Sequence, residues 1–107
     1  MTRGKRYALV VVSGSSPGRV IPIEKPRITL GRSGCDVVLD DGELSRQHAV
    51  LTLQGDRARI LDLGSTNGTF VAEERIQEAE LSERTEFRIG SHELLFVVRD
   101  LEEIENG

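Results

Sequence analysis

The chain has 107 residues, a formal net charge of −4, one cysteine and only 4% aromatic residues. That length fits one domain and leaves no room for a second core; the lone Cys35 excludes a disulfide framework and a zinc cluster of paired cysteines. The acidic balance argues against non-specific nucleic-acid binding, which needs a broad cationic face, and the apolar run 7–12 is too short for a signal-peptide core or a membrane span, so a reducing cytoplasm is the expected compartment.

The apolar pattern is a series of short runs split by Gly, Pro, Ser or Asp, which predicts an all-β sandwich or barrel. Residues 1–6 read as a basic N-terminal extension, 7–99 as the domain, and 100–107 as an acidic tail or the start of a linker. Tyr7 to Val12 predicts the first strand, and Ser13-Gly14-Ser15-Ser16-Pro17-Gly18 the turn after it. Val20 to Ile23 and Arg27 to Leu30 predict the next strands, followed by the short run Val37-Val38-Leu39 and the acidic turn Asp40-Asp41-Gly42. His48 to Leu53 and Arg57 to Asp62, joined across Gly55-Asp56, predict a hairpin. Further strands are expected at Thr69 to Val71, around Phe87 to Ile89, and from Glu93 to Val98 after a turn at Gly90-Ser91-His92. Successive strand side chains point to opposite faces, so alternation assigns Ile28, Leu30, Val50, Ala58, Ile60, Phe70, Phe87, Ile89, Leu94 and Phe96 to the core.

Three segments carry residue types that a plain β scaffold does not need. They are Gly31-Arg32 after a strand, Ser45-Arg46-Gln47-His48 before one, and Gly64-Ser65-Thr66-Asn67-Gly68 between two. All fall at strand ends, where a sandwich clusters its loops. Together they supply hydroxyls, guanidinium groups and an amide, the donors that a tetrahedral dianion demands, with Asp62 as the one nearby acid.

In content, order and spacing these segments, with Asp62-Leu63-Gly64-Ser65-Thr66-Asn67-Gly68-Thr69-Phe70 as the longest, resemble the signature of the forkhead-associated family. The likeness runs from about Val20 to Phe96. It implies a two-sheet sandwich of about eleven strands whose loops at one end bind phosphothreonine in an extended peptide of a partner protein. Carried over by position, Arg32 would contact the phosphate or the adjacent peptide backbone, Ser45 would donate its hydroxyl to a phosphate oxygen, and Arg46 would add charge. Thr66 would reach the phosphate by hydroxyl or backbone N–H, and Asn67 would hold the peptide main chain. Gly31 and Gly68 would permit close approach or positive φ, and His48 resembles the family's structural histidine, bracing the loop without touching phosphate. Two departures stand out. Ala72-Glu73-Glu74 replaces the usual Asn-Gly turn, which must then be built differently, and Leu81-Ser82-Glu83-Arg84-Thr85 replaces a Leu-x-x-Gly-Asp run. Glu73 and Glu74 would favour basic neighbours in the peptide if close enough.

Other readings are weaker. Ser45 and His48 need not meet as a catalytic dyad, and no Gly-x-Ser-x-Gly elbow supports one, so no enzyme activity is expected. His48, His92 and Cys35 lack paired ligand spacing, so no metal or other cofactor is expected, and Cys35 reads as a small residue without redox duty. Arg57 and Arg59 alternate on one strand as a solvated face. The remaining alternative is a structural interaction module of the same fold that binds without phosphate, with a monomer as the default state.

Overall fold

In the computed structural model, which describes residues 4–55 and 57–100, eleven strands form two stacked sheets. The strands are β1 (Lys5–Ser13), β2 (Val20–Ile23), β3 (Arg27–Gly31), β4 (Val37–Val38), β5 (Ala49–Gln54), β6 (Arg57–Asp62), β7 (Thr69–Val71), β8 (Glu74–Ile76), β9 (Glu78–Leu81), β10 (Glu86–Ile89) and β11 (His92–Asp100). One sheet has the order β2-β1-β11-β10-β7-β8 and the other β4-β3-β5-β6-β9. Among the described residues no helix is long and apolar enough to cross a membrane.

Of the sandwich and the barrel that the short apolar runs allow, the sandwich is the one observed, and the β5–β6 hairpin pairs in register from Ala49↔Asp62 to Gln54↔Arg57 around Gly55 at φ 65°. Asp56, read as the other half of that turn, lies outside the described residues, as does 101–107 of the acidic tail. β1 starts at Lys5, inside the segment read as an extension, because Lys5 and Arg6 pair with Asp100 and Arg99 of β11.

Two strands, β8 and β9, were not visible as apolar runs. Their sequence, Glu74 to Leu81, is mostly polar, and each lies at a sheet edge where one flank is solvated. Only Ala79 and Leu81 of β9 turn toward the core. On the outer side, Glu78 and Glu80 pair with Arg59 and Arg57 at 2.7 and 3.7 Å, the solvated face expected for those arginines.

The inner faces bring Leu9, Val11, Phe87, Ile89, Leu94 and Phe96 against Ile28, Leu30, Leu51, Ala58 and Ile60. Burying each large side chain contributes about 1.5–3 kcal/mol, so an aliphatic core suffices with few rings. Tyr7 stacks on Phe96 with centroids 6.0 Å apart. Two assignments to the core have the wrong phase. Val50 is buried, but on the outer side of its sheet, while Ala49 and Leu51 enter the core. Phe70 is half-buried and carries Arg88 over its ring at 4.2 Å, while Thr69 takes the inward position because its hydroxyl bonds to Asp62.

The β7–β8 turn also differs from expectation. It is a two-residue hairpin loop, Val71 pairing with Glu74, and both Ala72 and Glu73 have positive φ, 51° and 64°. This is the geometry that Asn-Gly adopts readily, so the turn is retained in shape and strained in sequence. A residue with a Cβ pays roughly 1–2 kcal/mol in that region. The double substitution Ala72→Asn, Glu73→Gly is therefore expected to stabilise the domain by about 1 kcal/mol and raise Tm by roughly 4–8 °C in a thermal melt. An unchanged or lower Tm would show that the turn is not strained.

Candidate functional site

The buried polar residues Asp41, His48, Ser65, Thr69 and His92 all belong to, or border, loops at one end of the sandwich. Burying such groups is costly unless each finds a partner. Among the described residues no buried side-chain nitrogen or oxygen lacks one. That end is therefore wired by hydrogen bonds where the middle of the sandwich is packed by methyl groups.

The loop after β6 is organised by Asp62. Its carboxylate accepts from Ser65 N–H at 2.9 Å, from the Ser65 hydroxyl, and from the Thr69 hydroxyl at 2.8 Å, while Ser65 Oγ accepts from Gly68 N–H at 3.0 Å. Burial pushes the Asp62 carboxyl up, but the hydrogen bonds from Ser65 and Thr69 outweigh it and hold the group below its ordinary value of 3.8. The acid that looked poised to repel an anion is thus turned inward. Arg75 of β8 supports the same loop, its guanidinium donating to the Ser65 and Thr66 carbonyls at 3.4 and 3.5 Å. Gly68 has φ 91°, and a Cβ there would lie 2.7 Å from Arg75 Nε.

His48, fully buried, joins this loop to the one before β5. Its Nδ1 accepts from Ser45 N–H at 3.2 Å, so Nε2 carries the proton and donates to the Gly68 carbonyl at 2.8 Å. The hydroxyl of Ser45 instead accepts from Thr66 N–H at 3.1 Å, and its own proton has no acceptor among the described residues. Ser45 and His48 therefore meet through a backbone amide and form no nucleophile–base pair. With Thr66 N–H engaged, the Thr66 hydroxyl is the group that makes no hydrogen bond among the described residues.

The loop 41–45 holds the remaining side chains. Arg32, exposed at the end of β3, donates from Nε to the Leu44 carbonyl at 3.1 Å, and Asn67 donates from Nδ2 to the Glu43 carbonyl at 2.7 Å. The terminal guanidinium nitrogens of Arg32 and the amide oxygen of Asn67 make no hydrogen bond among the described residues, and both side chains are exposed. Gly31 lets the backbones close: a Cβ there would fall 2.0 Å from the Arg46 carbonyl oxygen. That oxygen also accepts from Ser33 N–H and from the Cys35 thiol, at 3.3 and 2.9 Å. Arg46 itself is exposed on the same loop. Glu73 and Glu74 sit at the far end of the β7–β8 hairpin from this loop.

Hydrogen bonds thus bring together the loops that carry Arg32, Ser45, Thr66 and Asn67, with Gly31, His48 and Gly68 at their junctions, while Arg46 follows Ser45 on its loop as an exposed side chain. The sequence reading assigns no supporting role to Asp41, Glu43, Asp62, Arg75 or His92. Only Asp62 left a signal, the Asp-x-x-Ser spacing typical of a carboxylate capping its own loop.

Comparison with known proteins adds an independent line. The family model described as the FHA domain matches residues 28–90. Glycogen accumulation regulator GarA of Mycolicibacterium smegmatis is 37% identical over 90 residues, covering 83% of this chain and 57% of GarA. This chain therefore spans less than two thirds of that relative. Among solved structures, the FHA domain of CT664 from Chlamydia trachomatis superposes with a TM-score of 0.80 at 30% identity, over 86% of this chain and 96% of that one. EmbR of Mycobacterium tuberculosis, solved with a low-affinity phosphopeptide, gives a TM-score of 0.80 at 33% identity over 88% of this chain and 24% of EmbR.

Proposed function

Because this chain belongs to the forkhead-associated family, we propose that it is a non-catalytic module that binds phosphothreonine in partner proteins, for signalling or assembly downstream of Ser/Thr kinases. Arg32 and Ser45 bind the phosphate, Thr66 adds its hydroxyl, Arg46 adds local charge, and Asn67 holds the peptide main chain. A compartment that keeps Cys35 reduced and supplies such kinases is the cytoplasm. The observation that carries the reading is that Arg32 and Asn67, from two different loops, are tied to the successive carbonyls of Leu44 and Glu43 just before Ser45. Donors held in place before the ligand arrives lose little freedom on binding, and charge-assisted hydrogen bonds to a dianion are the strong ones.

The test is titration calorimetry with matched peptides. The phosphothreonine form is expected to bind in the micromolar range, about −7 to −8 kcal/mol, and the unphosphorylated form at least about tenfold more weakly. Phosphoserine offers the same charge but no γ-methyl, whose burial is worth about 0.8 kcal/mol, so phosphothreonine is expected to be preferred by roughly fourfold or more. Equal affinity with and without phosphate would reject the reading in favour of a phosphate-independent interaction module.

A further inference from the structure

A second buried histidine lies at the same end. His92, 1% exposed, places Nδ1 2.9 Å from Asp41 Oδ2 and Nε2 2.8 Å from Ser15 Oγ, and Nε2 also accepts from Ser15 N–H at 3.1 Å. Accepting that amide proton fixes the tautomer, so Nδ1–H donates to Asp41. The distances match those of a Ser-His-Asp relay. The lone pair of Nε2, however, is already shared with the serine's own amide, which suits a clamp better than a base.

The clamp joins three loops. Ser15 belongs to the β1–β2 loop, Asp41 to the β4–β5 loop and His92 to the β10–β11 hairpin. Asp41 is the hub: it also accepts from Ser91 N–H at 2.6 Å and from Glu43 N–H at 3.0 Å, and its own carbonyl accepts from Leu44 N–H at 3.1 Å. The Ser91 hydroxyl reaches Glu43 Oε2 at 3.1 Å. Glycines make room for the clamp: a Cβ on Gly14 would lie 2.6 Å from His92 Cδ2, and one on Gly90 2.6 Å from Asp41 Oδ2. Residues 43 and 44, whose amides Asp41 pins, are the two whose carbonyls hold Asn67 and Arg32. The two ends of the clamp, Ser15 and Asp41, both line a cavity of about 440 Å³ that Arg32 also lines.

We infer that His92 is a positioning residue of the phosphopeptide site: it fixes Asp41, which sets the Glu43 and Leu44 carbonyls and so aims Asn67 and Arg32, while its other nitrogen holds the β1–β2 loop against the same cavity. This rests on the phosphothreonine reading above, but its first consequence is visible without ligand.

The test uses the full chain with His92→Phe, His92→Asn and Asp41→Asn. His92→Phe keeps an aromatic ring, somewhat larger than the imidazole, and loses all three hydrogen bonds. His92→Asn loses volume but keeps a side-chain N–H for Asp41. Asp41→Asn keeps the volume and cannot accept from Ser91, His92 and Glu43 together. In ligand-free protein, the NMR signals of Arg32 Nε–H and Asn67 Nδ2–H are expected to shift in His92→Phe and Asp41→Asn and to return toward wild type in His92→Asn. With a phosphothreonine peptide mixture of randomised flanks as probe, His92→Phe and Asp41→Asn are expected to bind at least fivefold more weakly. His92→Asn is expected to recover to within twofold of wild type despite a lower melting temperature. A role in packing alone gives the reverse order, His92→Phe binding as wild type with the two signals unmoved and His92→Asn weaker, and that result overturns the inference. If wild type binds none of the probe, the phosphopeptide reading fails and the two signals alone decide whether His92 aims those side chains. Should His92→Phe fail to fold, Asp41→Asn carries the same comparison.

Discussion

Arg32→Ala and Ser45→Ala are each expected to remove most of the affinity for a phosphothreonine peptide while leaving the fold in place. Each deletes a charge-assisted contact of about 1.5–3 kcal/mol, a loss of roughly tenfold to a hundredfold that takes a micromolar complex to the edge of detection. Arg32 is exposed and its loss costs the fold a single bond to the Leu44 carbonyl. Ser45→Ala removes more, since Thr66 N–H then loses its acceptor as well. Arg32→Lys is expected to rescue little, because an ammonium cannot bond the Leu44 carbonyl and fork onto a phosphate at once. Calorimetry beside thermal melts decides: binding by Arg32→Ala within threefold of wild type at an unchanged Tm would remove Arg32 from the site.

His48→Ala is expected to damage stability and affinity together. The ring is fully buried and satisfies Ser45 N–H on one side and the Gly68 carbonyl on the other. Removing it strands two backbone groups, one on buried Gly68 and one on half-buried Ser45, and leaves a cavity, for a combined loss of about 2–4 kcal/mol. Affinity falls because Ser45 and Asn67 sit on the two loops that it joins. A lower affinity at an unchanged Tm would identify His48 as a direct ligand of phosphate instead. The same pole is expected to be the acid-sensitive part of the domain. Asp41 and Asp62 both titrate below 3.8, since hydrogen bonds to their carboxylates outweigh the burial that would raise them. Carboxyls depressed in the folded state contribute stability that is complete above the ordinary carboxylate range and is lost as pH falls through their lowered values. Asp62→Asn should therefore flatten the acid limb of a stability–pH curve.

What the sequence revealed depended on whether local chemistry or tertiary pairing decided the outcome. Val20–Ile23, Arg57–Asp62 and Thr69–Val71 were placed to the residue, because turn formers bracket each run. β8 and β9 escaped because an edge strand needs few apolar residues, and Phe70 misled because a large aromatic side chain outranks a threonine in any hydrophobic pattern. Its inward neighbour Thr69 is chosen by a hydrogen bond to Asp62, seven residues away, which no periodicity encodes. The surface of the site was readable because Arg32, Ser45 and Asn67 are tied to short stretches of distinctive composition. Its foundation was not. Asp41 and His92 are 51 residues apart in sequence, and only the folded sheets bring them within 2.9 Å.

The pairing of Lys5 with Asp100 has a consequence for how the domain is used as a part. β1 begins where β11 ends, at the pole opposite the loops that carry Arg32 and Asn67. A nine-residue strand separates the poles by about 30 Å, at roughly 3.3 Å per residue. Lys5 and Asp100 therefore both lie at the pole away from Arg32 and Asn67. A phosphothreonine tethered on the same polypeptide needs at least about nine extended residues to reach back to Arg32. Its effective concentration then falls off slowly as the tether lengthens further. For the same reason, fluorescent reporters can be fused at both ends, or the ends joined by a short loop and the chain reopened near Gly55, with the gripping loops left untouched.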